Sequence, residues 1–350
     1  MDRATRKVEH VQHALSTNEF GANAFDDVSF LPNSLPNTSY EKTSLDCEVG
    51  PYRLRSPIMI NAMTGGAATT TDINRKLAVL ARERGLAMAV GSQMAAIRDP
   101  QVKDSYGVVR KEHPKGILFA NVGAEATVEE AMAAVEMIEA DGLQIHLNVM
   151  QELLMPEGDR DFRGYLERIH EIKERAAVPV MVKEVGFGMA RKTIRELAQA
   201  GITVIDVGGK GGTNFAKVEN MRRPEPLTMF DDWGLTTVDS LLEAACESGR
   251  GVHFVATGGI RNGLDAAKAI ALGASAVGVA GAVLKQVQTR DVEGGLAALD
   301  EWHQQVRIAM TALGAHRLAQ LREQPVMITG KTAEKARLRG IALEEWAQKM

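Results

Sequence analysis

The side chains best able to do chemistry in this chain stand together in the run Ile145-His146-Leu147-Asn148-Val149-Met150-Gln151-Glu152. Leu143, Ile145 and Leu147 alternate with Gln144, His146 and Asn148, the period of two of a strand that turns one face to a polar cavity. Gln151 and Glu152 follow at its carboxyl end. An imidazole, two amides and a carboxylate converging there can hold an oxyanion and a hard cation. A core strand with a satisfied histidine would account for His146 alone, but not for so many polar groups beside a buried run.

A second set of residues suits anions. Gly258-Gly259 and Ala280-Gly281 each lie between an apolar run and a helical stretch, so unhindered backbone N–H groups at two helix N-termini point into one corner, fit for a phosphate. Ordinary turn chemistry is the competing explanation for such glycines. Lys183 ends an otherwise apolar run, where an unpaired ammonium is costly, so it requires an anion. The loop Gly208 to Asn214 is rich in donors and offers Thr213 and Asn214. Near the start, Arg6, Lys7 and His10 gather on one side of a helical turn patterned by Val8, Val11 and Leu15. A solvated helix start explains that turn as well.

These groups need a frame, and from Pro57 a rhythm supplies it. Eight short apolar runs, at 58–60, 86–90, 117–120, 143–147, 178–182, 204–207, 252–256 and 276–279, alternate with amphipathic stretches at 72–84, 128–140, 162–175, 189–200, 236–248 and 263–272. The alternation predicts an α/β chain folded as a closed (β/α)8 TIM barrel, with a doubly wound open sheet as the competitor. Barrels do their chemistry at strand carboxyl ends, and the residues that follow these runs are small and polar: Asn61 to Gly66, Gly91-Ser92-Gln93, Asn121 to Gly123, His146 to Glu152, Lys183 to Gly186, Gly208 to Asn214, Thr257 to Arg261, Ala280-Gly281. The expected organisation is one barrel domain over 1–350, with an N-terminal arm at 1–56, its stretch 18–43 crossing the mouth, and a helical extension at 315–350. Residues 296–314 read as helix, and the tail as polar helix broken at Thr329-Gly330.

Composition narrows the function. With 350 residues, 45% of them hydrophobic, the chain can bury a large core. Its 41 Lys and Arg against 45 Asp and Glu, net −4, point to neither nucleic acid nor an anionic membrane as partner. Cys47 and Cys246 are far apart, without metal or redox spacing, which fits a reducing compartment and argues against thiol catalysis. No signal-like start or membrane span is visible, so the expected location is cytoplasmic. The arm and tail suggest packing between subunits of a homo-oligomer.

Over nearly its whole length the sequence resembles the type 2 isopentenyl-diphosphate isomerases, a flavin-dependent (β/α)8 family among the FMN barrels. The resemblance rests on Arg6-Lys7-Val8-Glu9-His10, Ala62-Met63-Thr64-Gly65-Gly66, Gly91-Ser92-Gln93, His146-Leu147-Asn148 with Gln151-Glu152, Gly211-Gly212-Thr213-Asn214-Phe215, Gly258-Gly259-Ile260-Arg261 and Ala280-Gly281. It implies that FMN is held by Ala62, Met63, Thr64, Ser92, Asn121, Lys183 and Thr213, with its phosphate on Gly258, Gly259, Ile260, Arg261, Ala280 and Gly281. It further implies that Glu152 binds Mg2+ on a diphosphate substrate gripped by Arg6, Lys7, His10, Ser92, His146, Asn148 and Gln151. The implied catalytic groups are His146, Gln151 and Lys183. Met94 departs from the family's basic residue, and Arg98 is the available substitute. No side-chain pair offers both acid and base beside an apolar tail. The resemblance instead implies reduced FMN as the acid–base catalyst of a 1,3-allylic proton shift, with NADPH or NADH as the priming reductant. An FMN-dependent 2-hydroxy-acid oxidase needs a histidine after the sixth strand, where this chain has Gly208 to Asn214, and a nucleotide dehydrogenase needs a loop cysteine that neither Cys47 nor Cys246 supplies. A flavin-binding protein without catalysis would have no use for Arg6, Lys7, Gln151 and Glu152 together.

Overall fold

Short runs rich in Val, Ile, Met and Ala suit strands covered on both sides, and in the computed structural model, which describes residues 23–247, 249 and 251–349, all eight runs contain strands. They are β1 (Ile58–Ile60), β2 (Met88–Ala89), β3 (Leu118–Gly123), β4 (Gly142–Leu147), β5 (Val180–Glu184), β6 (Val204–Asp206), β7 (His253–Thr257) and β8 (Ala274–Val279). β8 pairs in parallel with β1 and closes a parallel barrel in chain order. Helices Thr70–Arg84, Val128–Met137, Tyr165–Arg175, Arg191–Gln199, Thr237–Ala245 and Gly263–Ala271 surround it. Between β2 and β3 the chain adds Met94–Arg98 and Asp104–Glu112, which are not among the expected amphipathic stretches.

The barrel interior is layered. Met59, Ala89, Phe119, Met181, Val204, Val255 and Ala276 point inward and form one apolar cluster. That cluster is sealed from below by an antiparallel hairpin, Cys47–Val49 with Tyr52–Leu54, whose Val49 and Leu54 join it. Burying each large side chain there is worth about 1.5–3 kcal/mol. Gly50 makes the turn with φ +57, and a Cβ on it would lie 2.6 Å from Val204 Cγ2, so the hairpin seats closely only with glycine there.

The described part of the arm, from Asn23, does something other than cross the mouth. It meets the rim through Asn23, whose Nδ2 donates to Gly259 O at 2.7 Å, and through Asp26, which pairs with Arg261 at 2.6 Å. It then runs down the flank, where Val28–Phe30 pairs antiparallel with Val326–Ile328 of the tail. The tail accordingly contains a strand, and Gly330 opens the helix Gly330–Leu338 instead of breaking one. The expected helix at 296–314 is the second part of Gly281–Leu313, which is bent at Asp291, a non-glycine residue with φ 57. Among the described residues no helix is long and apolar enough to cross a membrane.

Candidate active site

Because side chains alternate along a strand, stepping two residues beyond the apolar layer gives the next inward layer. The steps run from Met59 to Asn61, Ala89 to Gly91, Phe119 to Asn121, Met181 to Lys183, Val204 to Asp206, Val255 to Thr257 and Ala276 to Gly278. Every one arrives at a polar residue or glycine. Above this layer opens a cavity of about 310 Å³ at the carboxyl ends of the strands, lined by Asn61, Asn121, His146, Lys183 and Thr257 among others.

Lys183 and Asp206 are register partners on β5 and β6. Asp206 accepts from Asn61 Nδ2 at 2.7 Å, from the Thr257 hydroxyl at 2.6 Å and from Gly208 N–H at 3.1 Å. Burial pushes the Asp206 carboxyl up and the Lys183 ammonium down, and each is opposed by the charge of the other. Three donors at the carboxylate favour its charged form, and the charge of the neighbouring Lys183 favours it further. The ammonium that looked unpaired in the sequence thus has an acid on the neighbouring strand, and its Nζ donates to Glu184 O at 2.8 Å. Glu184 shapes the next turn by accepting from Gly186 and Phe187 N–H groups at 2.7 and 2.5 Å, and burial pushes its carboxyl up to about 7 against those donors and Lys183.

The glycine corner forms by backbone contact. A Cβ on Gly258 would lie 1.9 Å from Gly209 O, and one on Gly259 3.1 Å from Gly211 Cα, so the loops after β6 and β7 interlock only as glycines. The two helix N-termini expected there differ. The helix Gly281–Leu313 begins without a side-chain cap, leaving its first N–H groups to the cavity. The helix Gly263–Ala271 is closed: Asn262 caps Asp265 N–H at 2.9 Å and Gln305 Oε1 takes Gly263 N–H at 2.7 Å.

Across the cavity the helix Val149–Leu154 carries Gln151 and Glu152. Gln151 Nε2 donates to the fully buried Glu219 at 2.9 Å, and Glu219 is paired with Arg222, which also reaches Glu157 at 2.5 Å. Glu152 accepts from Asn148 Nδ2 and from Asp159 N–H, both at 2.8 Å. With Glu125, Glu157 and Asp159 it makes an acidic rim, faced by Arg98. Burial raises the Glu125 carboxyl, and Glu152 and Asp159 raise it further, against a backbone hydrogen bond and Arg98. Among the described residues no cluster of three His, Cys, Asp or Glu side chains could hold a metal, so a cation here would take Glu152 together with oxygens of a ligand.

A family profile described as FMN-dependent dehydrogenase matches residues 159–328. The isopentenyl-diphosphate delta-isomerase of Geobacillus sp. (strain WCH70) is 51% identical over 333 residues, 95% of this chain and 95% of that one. The protein of the same name from Bacillus cytotoxicus is 48% identical over 350 residues, 100% of both. The chain belongs to the isopentenyl-diphosphate delta-isomerases. Likeness of fold extends further: a mandelate oxidase with a monooxide FMN adduct aligns at TM-score 0.64 and 18% identity, covering 91% of this chain and 92% of that one.

For an isopentenyl-diphosphate delta-isomerase of the flavin-dependent kind, the cavity gathers most residues singled out in the sequence: Ala62, Met63, Ser92, Asn121, His146, Asn148, Gln151, Glu152, Lys183, Thr213, Gly258, Gly259, Ile260, Ala280 and Gly281. Two do not join them. Thr64 lies behind the wall, its hydroxyl donating to Asn74 Oδ1. Arg261 is turned away, because Asp265 takes its backbone N–H at 3.1 Å and its Nε at 2.8 Å while Asp26 holds the other side of the guanidinium. A cation already shared between two carboxylates is a poor phosphate ligand. Arg6, Lys7 and His10 lie outside the described residues. Cys47, in the bottom hairpin, and Cys246, at the end of Thr237–Ala245, are both remote from the cavity lining. Sequence reasoning missed Asp206 and Glu219. The first was signalled by its inward parity opposite Lys183; the second had no local signal.

The donor set fits FMN. An uncapped helix start with Gly258 to Ile260 suits a phosphate, and Ala62, Met63, Ser92, Asn121, Lys183 and Thr213 provide both apolar contact and polar anchors for a ring system.

Proposed function

We propose that this isomerase interconverts isopentenyl and dimethylallyl diphosphate by a 1,3-allylic proton shift, with reduced FMN, Mg2+ on the diphosphate, and NADPH (or NADH) as the priming reductant. One observation carries the reading: a single cavity joins the open helix start at Gly281 to the carboxylate of Glu152 across a floor of amides and Lys183. When bound and reduced, the flavin supplies acid–base chemistry at the double bond and an electron-rich surface for developing positive charge. Ala62, Met63, Ser92, Asn121 and Thr213 hold it, Gly258, Gly259, Ile260, Ala280 and Gly281 take its phosphate, and Lys183 stabilises negative charge on it.

The acidic rim gives the reason for magnesium. A diphosphate brought against Glu125, Glu152 and Asp159 would be repelled, and a hard cation held by Glu152 would convert that repulsion to attraction. His146, Asn148, Gln151 and Ser92, with Arg6, Lys7 and His10, grip the diphosphate. Gln151 gives an N–H of its amide to Glu219, and its Oε1 is the acceptor it would offer the ligand. Two free cysteines suit a reducing, cytoplasmic setting. The exposed Met229 and Trp233 of the loop after β6 suit covering in a homo-oligomer.

The test is direct. Protein supplied with FMN, NADPH and Mg2+ converts isopentenyl diphosphate to its allylic isomer, followed by proton NMR. Failure to take up FMN, or full turnover by enzyme kept strictly oxidised, overturns the reading.

A further inference from the structure

The cavity floor contains a hydrogen-bonded chain that the roles above do not use. Asp206 accepts from Asn61 Nδ2 at 2.7 Å, Asn61 Oδ1 accepts from Gln144 Nε2 at 3.1 Å, and Gln144 Oε1 accepts from Asn121 Nδ2 at 3.5 Å. Asn121 Oδ1 lies 2.7 Å from His146 Nδ1. Asn61, Asn121, Gln144 and Asp206 are all buried.

The direction of this chain is dictated from one end. A carboxylate can only accept, so Asn61 must turn its amide nitrogen to Asp206 and its oxygen away. That oxygen also takes the Ala62 N–H at 2.8 Å, which holds the orientation a second time. Gln144 then has to donate to Asn61 and present its oxygen to Asn121, and Asn121 has to donate to Gln144 and present its oxygen to the imidazole. Only an N–H can meet that oxygen. We infer that Asp206 is a positioning residue: through Asn61, Gln144 and Asn121 it fixes His146 with its proton on Nδ1, so that any proton His146 exchanges with a ligand in the cavity is exchanged at Nε2. The inference rests on His146 facing the ligand, as in the proposed function, but concerns the ring itself. An imidazole held in one tautomer loses no binding energy to selecting it, and outer partners commonly set which nitrogen of a histidine is protonated.

The experiment is solid-state nitrogen-15 spectroscopy of FMN-loaded, oxidised protein labelled at histidine, with the His146 signals identified by their loss in His146→Asn. The expected result is Nδ1 protonated in the native protein, with Nε2 the nitrogen that changes as pH is lowered. Gln144→Met, which keeps the volume but cuts the chain, brings in the second tautomer, and so does Asp206→Asn, whose amide can donate and reverse the chain. Thr257→Val, which touches Asp206 outside the chain, keeps the proton on Nδ1. A native protein with the proton on Nε2, or an undisturbed Nδ1–H in both Gln144→Met and Asp206→Asn, overturns the inference. Should Asp206→Asn fail to fold, the native spectrum and Gln144→Met still decide. If the tautomer behaves as stated while His146→Asn leaves KM for isopentenyl diphosphate unchanged, the chain stands and the place of His146 in the substrate grip falls.

Discussion

Below the level of Met59, Phe119 and Met181 the barrel interior is apolar and stoppered by the hairpin around Gly50, while two residues further along the same strands it holds Asn61, Asn121, Lys183 and Asp206. The two layers are one strand repeat apart. The lower one needs only volume, and Ala, Val, Met and Phe fill it without a polar atom. The upper one cannot be filled that way, because it must leave space for ligands, and its polar groups answer to one another instead. The difference shows that a strand here serves stability with one inward residue and chemistry with the next, so exchanging neighbours across that boundary should separate the two properties.

The strongest way to break the contrast is to move a charge down one layer. Met181→Lys would put an ammonium two residues below Lys183, among Val204, Val255 and Phe119 of the apolar cluster. A buried unpaired charge is expected to cost at least about 3–5 kcal/mol. Urea unfolding should show it, or the variant should fail to fold; a loss under about 1 kcal/mol would mean that water reaches the lower layer. The reverse exchange, Lys183→Met, strands Asp206 and should cost a similar amount, roughly 3–5 kcal/mol. Adding Asp206→Asn should recover most of that stability and none of the turnover, because the positive charge at the cavity is still missing. Recovery of turnover along with stability would show that Lys183 serves the fold alone.

How much of this was legible depends on whether a residue's meaning is local. The eight strands could be read because each is a short apolar run, and Gln144, His146 and Asn148 because they interrupt one. Asp206 was harder: Val204-Ile205-Asp206-Val207 reads as a strand with one acid, and only the closed barrel puts that acid opposite Lys183. Glu219 was out of reach, since nothing in Phe215–Met221 announces that it meets Gln151, 68 residues away. The hairpin at 47–54 consists of strands three residues long, too short for periodicity, although Gly50-Pro51 marks its turn. The surroundings of Arg261 were hidden for a similar reason. Its sequence position suits a phosphate, but Asp265, four residues on, and Asp26, far away in the chain, claim the guanidinium first.

A smaller and more selective effect is expected at the rim. Glu152→Gln should raise the Mg2+ concentration needed for half-maximal turnover steeply and leave the flavin spectrum intact, because the amide keeps the contacts to Asn148 and Asp159 only in part and loses the charge that holds the cation. Loss of bound FMN from this variant would place Glu152 on the wrong ligand. Titration of Mg2+ at fixed substrate, with the absorbance of the same sample as control, reads both outcomes.

The subtlest comparison is between two carboxyls at adjacent ends of the floor, Asp206 with three donors and a lysine, and Glu184 held mainly by two backbone N–H groups. Burial pushes Glu184 up to about 7 from an ordinary value of 4.5. A carboxyl raised in the folded state binds its proton more tightly there than in the unfolded chain, so its contribution to stability is fully present below pH 4.5 and is lost as pH rises through about 7. Glu184→Gln retains an oxygen for Gly186 and Phe187 N–H and has no proton to lose. Between pH 5 and 8 its melting temperature should therefore fall less than that of the native protein, with the two curves closest at the acid end, where the native carboxyl is still neutral. Parallel curves across that range would mean that Glu184 is already ionised at pH 5, and that Lys183 balances two carboxylates instead of one.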